Sequence, residues 1–151
     1  MKYGSEDEKA YLSAILDLKS RDIVSFAIGM HNNNQLVFDT FDLAIQKYPD
    51  THPLFHSDRG FQYTNKRFKA KLDEQGMRQS MSRVGRCIDN GPMEGFWGIL
   101  KPERYYLNHF ETHEELTEAI EQFIYYYNHQ RRQHRLNCLP PAAYRSLLEA
   151  A

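Results

Sequence analysis

The sequence predicts one α/β domain in which helices pack on a small sheet. Three observations predict it. The 151 residues are 41% hydrophobic, enough for one core, since chains near this length bury roughly two-thirds of their unfolded surface. Two strand-like segments follow one another early, across a short polar link. Farther along, apolar residues recur at helical spacing behind recognisable caps. We find no repeat, low-complexity segment or linker, so residues 1–151 read as a single unit.

Tyr11 to Leu18 reads as a strand and Asp22 to Met30 as its hairpin partner, with Lys19-Ser20-Arg21 as the link. Asn32-Asn33-Asn34 offers N-caps for a helix with the stripe Val37, Phe41, Ala44, Ile45 and Tyr48, closed by Pro49. Pro53 to Asp58 reads as a buried strand with a polar tip. Thr64 is placed to cap a short helix carrying Phe68 and Leu72, and Gly76 to stop it. Met77 to Ser82 reads as an edge strand, followed by a loop through Arg83 and Arg86. Asn90-Gly91-Pro92 opens a helix bearing Met93, Phe96, Trp97 and Leu100. Thr112 and Glu115 have capping-box spacing before a long helix with Leu116, Ile120, Phe123, Ile124 and Tyr127. Pro140-Pro141 precedes a last helix to Leu148.

Several function classes are disfavoured. No apolar run approaches the ~20 residues of a membrane span, and Met1 to Ala10 is polar, so a soluble cytoplasmic domain is expected. Cys87 and Cys138 form no C-x-x-C pair, which argues against a zinc knuckle or a disulfide scaffold. The net charge of −1 conceals a division. Ten basic residues face six acids between Asp58 and Arg104, then five glutamates run from Glu111 to Glu121 without a Lys or Arg. Basic blocks of this kind can meet a polyanion, although most charge runs are solvated faces.

Two carboxylates stand out. Asp58 lies at a strand tip before Arg59-Gly60, where α/β sites tend to open. Glu94 lies in a first helical turn, and Lys101, nearly two turns on, shares its face. Two carboxylates from different elements can hold divalent cations, and a nearby lysine supplies a point charge for phosphate. Plainer roles exist: a turn for Asp58, dipole compensation for Glu94, and hydrogen bonding within the core for His56.

His-Ser-Asp-Arg-Gly-Phe-Gln-Tyr (56–63), Ser-Met-Ser-Arg-Val-Gly (80–85), and the run from Asp89 through Glu94 to Glu103 resemble the integrase core of bacterial insertion-sequence transposases. So do Tyr11 to Leu18 and the late Tyr-Asn-x-x-Arg, Tyr127 to Arg131. That family belongs to the Asp-Asp-Glu superfamily with retroviral integrases, and 35 residues separate Asp58 from Glu94, as its last two acids commonly are. The resemblance implies a ribonuclease H-like mixed sheet flanked by helices, and DNA cleavage and strand transfer with Mg²⁺, or Mn²⁺ in its place. It makes Asp58 and Glu94 metal-holding catalytic acids. Arg59, Arg83, Arg86 and Lys101 become candidate DNA contacts. Transposon-end and target DNA, further copies of the chain or a full-length transposase are the implied partners, near the bacterial nucleoid.

One element of the pattern is missing. The family's first catalytic Asp sits in a Thr-Asp-x-Thr strand before the hairpin, and these residues lack it. Asp7, in a polar stretch, and Asp17, at a non-catalytic family position, are poor substitutes. That strand is central in the fold, so its loss is expected to expose two sheet edges and to leave the chain inactive alone. The alternative is a non-catalytic DNA-binding or inhibitory fragment. A small phosphate-ester hydrolase is less favoured, as no Gly-rich phosphate loop is present.

Overall fold

The computed structural model describes residues 1–5, 8–84 and 87–151. Asp7 and Arg86, both singled out in the sequence, lie outside the described residues. β1 (Lys2–Tyr3) and β2 (Glu8–Lys9) pair antiparallel in a small sheet that the polar N-terminal composition did not suggest. Tyr3 is buried there, and Tyr105 grips β1 from far away in sequence: its hydroxyl donates to Lys2 O at 3.0 Å.

β3 (Tyr11–Leu16) and β4 (Ile23–Gly29) form the expected antiparallel hairpin, both shorter than the sequence suggested. Asp17 leaves the strand because its Oδ1 accepts from the Lys19 and Ser20 N–H groups, at 2.7 and 3.0 Å, making an Asx turn. Arg21 adopts φ 63° to complete the link. α1 (Asn34–Lys47) follows, capped by Asn33, whose side chain accepts from Leu36 N–H.

β5 (Leu54–Ser57) and β6 (Arg78–Met81) pair in parallel. α2 (Lys66–Glu74) connects them, and Asn65, not Thr64, caps it by accepting from Arg67 N–H at 2.8 Å. The Thr64 hydroxyl turns back to Phe61 O instead. Gly76, at φ 64°, ends the helix while Met77 N–H returns to Leu72 O. β5 is not the fully buried strand the sequence suggested: Leu54 is 57% exposed, and Phe55 and His56 are half-buried. Among the described residues β5 pairs with β6 alone, so its other edge stays uncovered.

α3 (Gly91–Leu100) runs into a π turn at Lys101–Tyr105. Pro102 brings no N–H to continue the α ladder, and Tyr106 N–H donates five residues back to Lys101 O. α4 (His113–His129) is capped by Thr112, which accepts from Glu115 N–H. The Glu115 carboxylate accepts from Glu111 N–H rather than from the cap residue's own N–H, so the box closes one residue early. α5 (Pro141–Glu149) ends the chain's secondary structure.

Two cores result. Phe96 and Leu100 of α3 and Leu116, Ile120, Phe123 and Ile124 of α4 pack under Leu12, Ala14 and Leu16 of β3. On the opposite face Ile15 of β3 joins Val37, Phe38 and Phe41 of α1. That second core centres on Phe68, fully buried, with ring centroids 5.3 to 6.0 Å from Phe55, Phe41, Tyr63 and Phe38. No helix among the described residues is long and apolar enough to cross a membrane.

Candidate functional site

The site begins at the carboxyl end of β5. Ser57, buried, accepts from Ser82 N–H through its carbonyl, and the chain then turns at Asp58. Asp58 is exposed, and its Oδ1 accepts from Gly60 N–H at 2.8 Å. A Cβ on residue 60 would lie 2.9 Å from that oxygen and 3.1 Å from Gln62 Oε1, so this close approach requires a residue without one. Oδ2 of Asp58 accepts no hydrogen bond among the described residues, which leaves it available to a cation. Gln62 is buried and donates to Asn32 Oδ1 at 2.7 Å, anchoring this turn to the segment before α1.

His56 is not free to bind a metal. Its Nδ1 lies 3.0 Å from Ser80 Oγ and its Nε2 3.2 Å from Ser82 Oγ, the hydrogen-bonding role read from the sequence. Tyr63 packs nearby; burial, with a smaller push from the Asp58 charge, raises its phenol to about 12.

Glu94 occupies the first turn of α3, exposed and without a hydrogen bond or ion pair among the described residues. Lys101, at the junction with the π turn, likewise forms no ion pair among them. Asp58 and Lys101 line one cavity of about 1270 Å³, together with Asp89, Met93 and Trp97 among others. Glu94 follows Met93 directly but is not part of that lining.

The arginines are less free than the sequence suggested. Arg59 Nε donates to Ser82 O at 2.9 Å, leaving the rest of an exposed guanidinium available. Arg83 is a partner of Asp89: its backbone N–H and Nε both donate to Oδ2 at 3.0 Å, and its Nη2 donates to Oδ1 at 2.8 Å. Those bonds hold the Asp89 carboxyl well below the usual carboxylate range. Sequence reasoning counted Asp89 only as a charge within a motif. An arginine and an aspartate flanking a short glycine-containing loop was the signal available.

Asp17 has a structural role. Burial pushes its carboxyl up, but the Ser20 and Lys19 N–H groups and Arg145 outweigh that and hold it below its ordinary value. Arg145 of α5 reaches it at 2.7 Å.

An antiparallel hairpin, a parallel strand pair and flanking helices, with a carboxylate at the end of β5, define a ribonuclease H-like fold. Solved structures agree. The HTLV-2 integrase catalytic core domain in complex with magnesium superposes with a TM-score of 0.72, covering 95% of this chain and 90% of that one at 16% identity. The simian T-cell lymphotropic virus intasome gives 0.73 at 18% identity, covering 88% of this chain and 46% of that one. Integrase core domain profiles match residues 1–87 and 94–147, and this chain belongs to the integrase core domain family.

Several relatives carry transposase or transposase-like names. An uncharacterized transposase-like protein of Haemophilus influenzae is 40% identical over 145 residues, spanning 96% of this chain and 67% of its own length. InsK of Escherichia coli strain K12, named as a putative transposase for insertion sequence element IS150, is 38% identical over 96% of this chain and 52% of its own length. The Lactococcus lactis transposase for IS904 is 38% identical over 82% of this chain and 49% of its own length. The chain thus spans about half to two-thirds of the length of these relatives.

Proposed function

We propose that this chain is the catalytic portion of an insertion-sequence transposase and serves Mg²⁺-dependent cleavage and joining of DNA strands. The observation that carries the reading is Asp58: one carboxylate oxygen is fixed by Gly60, and it shares a cavity with Lys101, while its other oxygen and the Lys101 ammonium have no partner among the described residues. Its membership of the integrase core domain family supports the reading.

The donor set fits a hard divalent cation in type, since Asp58 and Glu94 offer only oxygens. These two residues would hold Mg²⁺ or Mn²⁺, which when bound supplies Lewis acidity to a phosphoryl oxygen. Lys101 would meet a DNA phosphate as a point charge, and the exposed nitrogens of Arg59 would do the same. Arg83 and Arg86 are secondary contacts, Arg83 because Asp89 already neutralises it. The attacking group would be water for cleavage and a DNA 3′-hydroxyl for joining, with further copies of the chain or a longer transposase completing the assembly.

Among the described residues no three His, Cys, Asp or Glu side chains come together. We therefore expect residues 1–151 by themselves to hold the cation weakly and to lack strand transfer. That same observation favours the second reading, a DNA-binding or inhibitory fragment. The test is strand transfer of labelled transposon-end DNA in Mn²⁺, with the chain alone and mixed with a longer transposase. Salt-sensitive DNA binding without turnover by the chain alone is expected. Turnover that survives both Asp58→Asn and Glu94→Gln overturns the assignment, and failure to bind DNA overturns both readings.

A further inference from the structure

Every polar group of Ser82 is engaged. The residue is buried and follows β6 directly. Its N–H donates to Ser57 O at 2.9 Å. Its hydroxyl donates to the same carbonyl at 3.4 Å and lies 3.2 Å from His56 Nε2. Its own carbonyl accepts from Arg59 Nε at 2.9 Å. The next N–H along the chain, that of Arg83, donates to Asp89 Oδ2 at 3.0 Å. The peptide unit joining Ser82 to Arg83 is therefore held at both of its polar groups. The residue beside Asp58 holds its carbonyl, and a residue five positions before Glu94 holds its N–H.

We infer that this peptide unit couples the two carboxylates: Arg59 and Asp89 are positioning residues that set Asp58 and Glu94 relative to one another through it. The inference rests on the reading of Asp58 and Glu94 as cation ligands. A trans peptide unit is planar, with its C=O and N–H on opposite sides of one rigid plate. A rotation that spoils one of the two bonds spoils the other. On the Asp58 side, Gly60 N–H orients the carboxylate within its turn, and Arg59 fastens that turn to the residue after β6. On the Glu94 side, Phe96 and Leu100 seat the later part of α3 in the core. Asn90 supplies no side-chain cap, so the nearest side-chain tie before the first turn, among the described residues, is that of Asp89. Arg83 adds Nε and Nη2 to the same carboxylate, which fixes Asp89 with three donors. Neither Arg59 nor Asp89 has to touch the cation. Each acts on a ligand-bearing segment from behind, as outer hydrogen bonds do around metal sites.

The test uses variants of the full chain, read by NMR of the Gly60 and Glu94 amides and by Mn²⁺ titration in a calorimeter. Arg59→Gln keeps a donor nitrogen at the same place along the side chain, whereas Arg59→Met puts none there. Both remove the guanidinium charge, so they differ only in the bond to Ser82 O. Asp89→Ala removes the acceptor for Arg83 N–H. Arg59→Met is expected to shift the Glu94 amide and Asp89→Ala the Gly60 amide, each across the peptide unit. Each is also expected to raise the Mn²⁺ dissociation constant about tenfold. Arg59→Gln is expected to stay near the parent in both readouts. The double variant Arg59→Met/Asp89→Ala is expected to bind Mn²⁺ no worse than either single variant, since the two act through one unit. Shifts confined to the mutated residue's own side overturn the inference, as does equal damage by Arg59→Gln and Arg59→Met. Shifts on both sides with unchanged Mn²⁺ affinity overturn it too. Should Asp89→Ala fail to fold, the two Arg59 variants decide through the Glu94 amide. Reciprocal shifts in a chain that binds no Mn²⁺ uphold the coupling and refute the metal reading instead.

Discussion

Asn128 completes the edge of β4 through one residue, Ile23: its Oδ1 accepts from Ile23 N–H at 2.9 Å, and its Nδ2 donates to Ile23 O at 3.0 Å. Both groups are buried. A side chain of α4 thereby does what a neighbouring strand would do. Asn128→Ala leaves two buried backbone groups unpaired, at a cost of about 2–3 kcal/mol. The melting temperature is expected to fall by about 5–10 °C in a circular dichroism melt. Asn128→Asp keeps the acceptor but turns a carboxylate oxygen towards the buried Ile23 carbonyl, so at neutral pH it should destabilise at least as much as alanine. An alanine variant that melts with the parent would show that water replaces the amide.

Arg145 sits between two aspartates with opposite behaviour. Asp17 is held below its ordinary 3.8, so its stabilisation is present above that value and is lost as pH falls through the lower folded pKa. Asp22 is raised above 3.8, first by burial, so its neutral form favours the fold and that contribution fades as pH rises through the raised value. Asp17→Asn is therefore expected to destabilise the protein at neutral pH, while Asp22→Asn is expected to be close to neutral or stabilising. Urea titrations of both variants at acid and neutral pH check the ordering, and the reverse order would refute it.

Tyr63 reports on Asp58. Its phenol is raised from 10.0 to about 12, by burial first and by Asp58 second, so stability is lost as pH rises from 10 towards 12. Asp58→Asn should lower the ionisation pH of Tyr63, followed by phenolate absorbance with Tyr63→Phe as the assignment control. Saturating Mg²⁺ should shift it the same way if the cation sits on Asp58. No shift with Mg²⁺, where Asp58→Asn does shift it, places the metal elsewhere.

Gly60→Ala should uncouple fold from metal binding. The added Cβ meets Asp58 Oδ1 at 2.9 Å and pushes the carboxylate off the Gly60 N–H. Melting should change little, while Mn²⁺ affinity by calorimetry falls about tenfold or more, as orienting hydrogen bonds typically contribute. Unchanged affinity would remove Asp58 as a ligand.

Lys101 and Arg83 should separate in DNA binding. Lys101→Ala removes a free ammonium and should lower the slope of log affinity against log salt by about one. Arg83→Ala should lower it far less, since Asp89 already offsets that charge with three hydrogen bonds. Equal effects would mean that DNA displaces Asp89.

The hairpin and the five helices were legible because apolar periodicity and short-range caps are local properties. The same locality explains the misplacements. Thr64 and Asn65 are both competent caps, and which one serves depends on where Phe61 O lies. The pairing of β1 with β2 is held by Tyr105 and Phe110, more than a hundred residues away in sequence, so no window near the start reveals it. The burial expected of β5 came from its short apolar run, and a run shows nothing of which strands lie beside it. Asp58, Glu94 and Lys101 are candidates read from motif and spacing, whereas the Arg83–Asp89 pair joins residues whose spacing carries no periodic signal.

The divided sheet also bears on how the molecule comes apart. In an unbroken sheet, opening one strand strains the next through shared ladder bonds, and the whole unfolds together. Among the described residues β3 and β5 share none, so coupling passes through α1 and the segment before it. The Thr40 carbonyl accepts from Ser25 of β4 on one side; on the other, Phe38 stacks on Phe68 of α2 and Phe41 meets it edge-on. α1, with the Gln62–Asn32 hydrogen bond beside it and Ile15 of β3 in the shared core, ties the hairpin half to the parallel-strand half. Loosening it would let the halves unfold at different denaturant concentrations, as two subglobal units rather than one.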